Sequence, residues 1–307
     1  MSDWQLKTPV AFLIFNRPGT TARVFAEIAR ARPPRLLVVG DGPRANRAGE
    51  AEQVAATRAI IERVDWPCEV STHFSDVNLG CKSRVSSGID WIFEQVEEAI
   101  ILEDDCLPHP TFFRFCEELL GKYREDERIV MICGTNTASR NASGKDSYYF
   151  SGYPHIWGWA SWRRSWKNYD VHMKRLPELL QNRFFMEKFE SRREYRYWSR
   201  IFLSVFSGKV DTWDAQVCFM AFRMSTLSIF PNVNLVSNIG FGIDATHTFR
   251  KNGLDNLPTA PIQWPLTHPK LMAPNLAAES ERKKKEGIGA SRWMRGLKYL
   301  LNRIGLA

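Results

Sequence analysis

Residues 99–106 read Ala99-Ile100-Ile101-Leu102-Glu103-Asp104-Asp105-Cys106, four apolar side chains running directly into three carboxylates. A continuous apolar run without polar alternation is what a parallel strand covered on both faces requires. In an open α/β sheet, ligands bind beyond the carboxyl ends of such strands. The junction therefore puts Glu103, Asp104 and Asp105 where a ligand would sit. Three adjacent carboxylates repel one another and are costly to leave without a cation. A hard divalent ion, Mn²⁺ or Mg²⁺, prefers oxygen ligands and can bridge to phosphate oxygens. An acidic turn ahead of a helix starting at Thr111 accounts for the same residues without a metal.

The flanking chain repeats this grammar. Val10-Ala11-Phe12-Leu13-Ile14-Phe15 is an apolar run stopping at Asn16-Arg17-Pro18-Gly19, and Leu36-Leu37-Val38-Val39 stops at Gly40-Asp41-Gly42-Pro43. Residues 68–74 and 129–133 read as further strands, and residues 20–31, 48–64, 83–96 and 111–123 as helices. In the first helix Val24, Phe25 and Ile28 share one face. This β-α-β rhythm predicts an α/β chain with a doubly wound, mostly parallel sheet flanked by helices. Asn16, Arg17 and Asp41 should then share the sheet edge of Asp105. Arg17 offers a guanidinium fork to a diphosphate, and Asp41 an acceptor to a base N–H. Turn chemistry alone accounts for either motif taken singly.

Beyond residue 147 the pattern changes. Residues 148–169 are crowded with Tyr148, Tyr149, Tyr153, Trp157, Trp159, Trp162 and Trp166, interleaved with Gly152 and Gly158. Such spacing suits core packing or a mobile binding loop. Residues 176–207 read as helical and 227–236 as extended. Five prolines fall within 258–274, which predicts an irregular wrap or linker, and residues 291–306 form an amphipathic pattern. That last helix could meet a membrane interface, dock on the domain, or join a second subunit.

Composition is that of an ordinary globular protein, 44% hydrophobic and 25% charged. No run approaches the ~20 apolar residues of a membrane span, residues 1–7 lack a signal-peptide core, and the six cysteines form no CxxC pair. These features lead us to expect a cytoplasmic, thiol-reduced protein. The net charge of +8 is weighted towards Arg282-Lys283-Lys284-Lys285 and the tail. With no accompanying motif it argues against a nucleic-acid partner.

Taken in order, several motifs resemble the N-acetylglucosaminyltransferase I group of GT-A fold glycosyltransferases. They are Phe12-Leu13-Ile14-Phe15-Asn16-Arg17, Asp41-Gly42, and Leu102-Glu103-Asp104-Asp105 with Pro110-Thr111-Phe112-Phe113 downstream. Gly158-Trp159-Ala160 resembles the group's acceptor-side loop, Trp213-Asp214 its catalytic pair, and His247 a late metal- or phosphate-facing histidine. The likeness implies a Rossmann-like GT-A domain over residues 8–255, with a nucleotide-binding half (8–136) and an acceptor-binding half (137–255). A Pro- and Lys-rich linker (256–290) and the amphipathic helix (291–306) would follow.

The resemblance also implies roles. Asn16, Arg17, Asp41, Arg84, Glu103, Asp104 and Trp213 would hold the nucleotide-sugar donor, with UDP favoured. Asp105 and His247 would hold Mn²⁺ or Mg²⁺, and Gly158 and Trp159 would face the acceptor. Asp214 would be the base of an inverting transfer to a glycan or lipid-linked acceptor, as in bacterial polysaccharide biosynthesis, at the inner face of the membrane if the terminal helix binds there. Asp211 is the rival base, and His247 is equally readable as a structural histidine. Two other classes share the layout. A sugar nucleotidyltransferase usually carries a glycine-rich basic loop after its first strand, which Asn16-Arg17-Pro18-Gly19 matches poorly. A catalytically inactive sugar-nucleotide-binding protein would have no need to keep Glu103, Asp104, Asp105 and Asp214 together.

Overall fold

The strands nearest the N-terminus are apolar at nearly every position because both of their faces are covered. The computed structural model describes residues 4–240, 254 and 256–288. Its strands are β1 (Val10–Ile14), β2 (Arg35–Gly40), β3 (Glu69–Phe74), β4 (Glu98–Glu103), β5 (Cys106–Pro108), β6 (Ile129–Cys133), β7 (Tyr148–Ser151), β8 (Trp159–Trp162), β9 (Leu227–Pro231) and β10 (Val236–Asn238). Its helices are α1 (Pro18–Ala31), α2 (Glu50–Ala59), α3 (Cys81–Gln95), α4 (Thr111–Lys122), α5 (Arg140–Ser143), α6 (Arg163–Trp166), α7 (Leu176–Gln181), α8 (Phe184–Lys188), α9 (Arg192–Phe206), α10 (Asp214–Met224) and α11 (Leu276–Glu286).

The main sheet runs β3-β2-β1-β4-β8-β6-β9-β7, and β10 pairs with β5 in a small second sheet. Strands β1 to β4 are mutually parallel, as are β6 and β9, while β8 and β7 run against their neighbours. The sheet is thus mostly parallel with helices on both faces. Register sets Ile14 beside Gly40 and Leu13 beside Glu103. The chain therefore leaves β1, β2 and β4 along one edge, and this brings Arg17, Asp41 and the acidic triplet together.

Side-chain alternation sorts the core into two layers. Phe12, Val38, Ile100 and Leu102 pack with Val24 and Ile28 of α1 and Phe112, Phe115 and Cys116 of α4. Leu13, Leu37, Val39 and Ile101 pack on the other face with Ile89, Ile92 and Phe93 of α3. Helix α3 lies so close to β2 that a Cβ at Gly88 would come within 2.4 Å of Val39 Cγ1. A separate aromatic cluster, including Phe185, Trp198, Phe202, Phe219 and Phe222, holds α8, α9 and α10 together.

Three expectations are corrected here. The helical stretch read over 176–207 is broken into α7, α8 and α9. Residues 159–162, expected in an acceptor loop, form β8, inserted antiparallel between β4 and β6 with Ile100 opposite Ala160. Of the stretch expected as a linker over 256–290, the described residues 256–288 are docked structure. Ile262 and Leu266 enter the core, Asn275 N donates to the Phe150 carbonyl at 2.9 Å, and α11 packs against α5. Residues 291–306 lie outside the described residues, as does His247. Among the described residues no helix is long and apolar enough to cross a membrane.

Candidate active site at the strand ends

Arg17 follows β1 and reaches across to the end of β4. Its Nη2 pairs with Asp104 Oδ1 at 2.5 Å and its Nη1 with Asp105 Oδ2 at 3.0 Å. Burial works against the Arg17 charge, but Asp104, Asp105 and Glu103 outweigh it and hold its pKa above the ordinary value. Asp104 is buried and also accepts from Phe15 N at 3.1 Å, so it ties β4 to β1. Burial pushes its carboxyl up, and Arg17 pulls it back. Burial pushes Glu103 up further, aided by its carboxylate neighbours. Asp105 is the more open of the two Arg17 partners. Backbone packs tightly over it, since a Cβ at Gly240 would meet Asp105 Oδ2 at 2.1 Å.

These groups line a cavity of about 440 Å³, together with Asp41, Asn78, Gly80, Arg84 and Asn238. That size suits a small-molecule ligand. Asp41 is buried and accepts from Leu79 N at 2.9 Å, Gly80 N at 3.2 Å and Asn78 Nδ2 at 2.9 Å. Burial raises its pKa against those bonds. Its oxygens thus order the loop ahead of α3 and leave little for a base N–H. Arg84 lines the floor but spends its guanidinium on the Gly40 and His73 carbonyls, so it fastens α3 to β2 and β3. Asn16 is absent from the lining; its Nδ2 donates to Glu50 Oε1 at 2.9 Å, and Glu50 in turn pairs with Arg44.

The two candidate bases part company in geometry. Asp211 accepts from Cys81 N at 3.1 Å and Lys82 N at 3.3 Å, so it caps the N-terminus of α3. Asp214 opens α10; its Oδ1 accepts from Thr212 Oγ1 and from Ala215 N, while no hydrogen bond among the described residues engages Oδ2. Asp214 is exposed. It lines the first cavity and also a second one of about 500 Å³, walled by Tyr153, His155, Trp157, Trp198 and Glu286. Thr212, Ile156 and Trp157 are likewise shared by both cavities.

Two further assignments change. Trp159 is buried in β8, stacked 6.1 Å from Trp213, and a Cβ at Gly158 would meet Val236 at 2.7 Å and Leu102 at 3.3 Å. Trp213 borders the first cavity but is 2% exposed, so it presents little ring face. His155 and Glu286 went unnoticed in the sequence, His155 among aromatics and Glu286 at the end of a lysine-rich run.

Among the described residues no group of three or more His, Cys, Asp or Glu side chains is placed to cage a metal ion. Of the carboxylates lining the cavity, Asp104 and Asp105 pair with Arg17, and Asp105, the more open of the two, is the donor on offer. Mg²⁺ usually takes one or two carboxylates, substrate phosphates and water. The donor set therefore fits an ion shared with a bound phosphate, and not a closed protein site.

No family model matches the chain, and no curated protein matches it. Among solved structures, the chain is similar to UDP-glucose pyrophosphorylase complexed with UDP-glucose. The identity is 12%, 73% of this chain and 90% of that chain are covered, and the TM-score is 0.35. At that level of likeness no role passes from that protein to this chain.

Proposed function

We propose that the chain is a GT-A type glycosyltransferase that moves a sugar from a nucleotide-diphosphate donor, UDP-sugar by preference, to a saccharide acceptor. The observation that carries this is Asp214, an exposed carboxylate lining both cavities with one oxygen left unbonded. A transferase needs two substrates to meet beside one base, and Asp214 stands where two cavities meet. The donor diphosphate would lie along the strand ends, its charge met by Arg17 in a guanidinium fork. Asp105 would hold a divalent ion, which when bound neutralises charge on the leaving diphosphate. Asp214 Oδ2 would take the proton of the acceptor hydroxyl as it attacks, since a hydroxyl is a weak nucleophile without a positioned base. Attack from the side opposite the leaving group inverts the anomeric centre.

The first cavity suits a sugar nucleotidyltransferase as well, because that reaction also joins phosphates beside acidic side chains. In that reading the second cavity and Asp214 would have no task.

Thermal shift with UDP-, GDP- and CMP-sugars, with and without Mn²⁺, tests the donor site by mass action. One nucleotide class should raise Tm, more so with Mn²⁺, and Asp105→Ala should remove the Mn²⁺-dependent part. Equal affinity in the variant and with chelator would contradict the metal role. Nucleotide-sugar made from UTP and a sugar 1-phosphate, with no transfer to saccharides, would favour the nucleotidyltransferase.

A further inference from the structure

The second cavity has a wall contributed by helix α11, whose last residue, Glu286, shares the lining with His155 and Asp214. Glu286 is held by a built network. Its Oε1 accepts from Thr137 Oγ1 at 2.9 Å and from Arg282 Nε at 3.3 Å. Arg282 is buried with its guanidinium 3.6 Å from the Phe230 ring centroid, and its Nη1 lies 3.4 Å from Ser151 Oγ. The helix is pinned by Glu279, which accepts from Gly152 N at 2.6 Å, and by Asn275 Nδ2 on the Ala142 carbonyl at 3.0 Å. Burying an ion pair costs several kcal/mol per ion before pairing repays it, so apolar side chains would dock such a helix at lower cost.

The network leaves part of its carboxylate free. Glu286 Oε2 makes no hydrogen bond among the described residues. Trp198, 7% exposed and in the same lining, has a buried indole Nε1–H with no partner among the described residues, an uncommon state for a donor. The wall thus carries the carboxylates of Asp214 and Glu286 together with aromatic side chains. His155 is held neutral at pH 7 because burial pushes it down to about 4, and Arg200 in the lining is exposed.

We propose that Glu286 is an acceptor-binding residue whose carboxylate takes hydrogen bonds from the hydroxyls of an uncharged saccharide in the second cavity, so that helix α11 helps to select the acceptor. Carboxylates accept from hydroxyls and repel a ring that carries a carboxylate or phosphate, while aromatic faces cover the apolar side of a sugar. The inference rests on the transferase reading above.

Saturation-transfer NMR on the full chain with saturating UDP and Mn²⁺ tests it, using methyl glucoside, methyl N-acetylglucosaminide and methyl glucuronide as probes. The neutral glycosides should give ring-proton signals and the glucuronide a weaker one. Glu286→Gln should lower the neutral signals about tenfold, the loss of one hydrogen bond to a charged group. Lys284→Ala, on the exposed side of the same helix, should leave them unchanged. If Glu286→Gln does not fold, Glu286→Asp keeps the charge beside Arg282 while withdrawing the carboxylate by one methylene, and carries the same expected loss. A lower Tm with undiminished neutral signals would make Glu286 purely structural and overturn the proposal. Wild-type protein that binds UDP but no neutral glycoside would overturn it too, leaving the nucleotide site standing. Wild type that binds neither would bring down the transferase reading itself.

Discussion

The two cavities that meet at Asp214 are assembled in opposite ways. The first takes its charged groups, Arg17 after β1, Asp41 after β2 and Glu103 to Asp105 at the end of β4, from strand ends, with α3 and residues 211–214 closing it. Hydrogen-bonded register fixes those ends against one another, so the site follows once the sheet forms. The second takes Tyr153, Trp198, Asp214 and Glu286 from four distant segments, with no shared strand between them. Its geometry depends on an aromatic cluster and on a helix docked through buried polar contacts. A sheet edge can therefore gather charged groups with few special residues, whereas a cavity built from separate segments needs its own packing.

The largest structural effect should separate the two halves. Phe202 is fully buried among Phe185, Trp198, Phe219 and Phe222, and it lines neither cavity. Phe202→Ala should cost about 3–5 kcal/mol in urea denaturation, yet leave nucleotide affinity near wild type at low temperature. If nucleotide affinity falls together with stability, the halves are not separable and the contrast drawn above is wrong.

A smaller effect probes the sheet half. Gly88→Ala removes a helical glycine, which alone should gain up to about 1 kcal/mol. The added Cβ meets Val39 at 2.4 Å, however, and overpacking costs about 1–3 kcal/mol. The steric cost should win. A variant as stable as wild type in thermal melts would show that α3 can move off β2 without penalty.

The smallest effect is one of pH, and it belongs to the second cavity. His155 titrates near 6.5 when unfolded and is held down to about 4 in the fold, chiefly by burial, with Arg282 acting in the same sense and Glu286 and Asp214 opposing. Between these values the unfolded chain binds the extra proton, so stability contributed by neutral His155 is complete above pH 6.5 and is lost as pH falls towards 4. Melting temperature followed from pH 7.5 to 4.5 should therefore decline less steeply in His155→Gln than in wild type. Parallel curves would show that His155 is not held neutral.

The same contrast explains what could be read from the sequence. The apolar runs Val10 to Ile14, Leu36 to Val39 and Ala99 to Leu102 announce buried parallel strands, and residues following such strands must share an edge. The meeting of Arg17 with Asp104 and Asp105 was therefore legible from strand ends alone. Asn16 was not separable from Arg17 by pattern, since only the fold shows it turned towards Glu50. Strand β8 was missed because Trp159 and Trp162 are aromatic at both ends of a four-residue run, too short for a period, and its place between β4 and β6 is set by long-range pairing. The run Arg282 to Lys285 looks like solvated charge. Nothing local reveals that Arg282 is buried over Phe230, or that Lys283 pairs with Glu190.

The central claim, that Asp214 is a base acting between a donor site and an acceptor site, is tested most directly by measuring transfer rate and nucleotide affinity in Asp214→Asn beside Asp211→Asn. Losing a general base should lower transfer by about 10² to 10⁴ while nucleotide affinity stays near wild type, the pattern of lost transition-state stabilisation. Asp211→Asn keeps an oxygen to cap α3 and should change the rate far less. Transfer that survives in Asp214→Asn, or is crippled only in Asp211→Asn, would contradict the account.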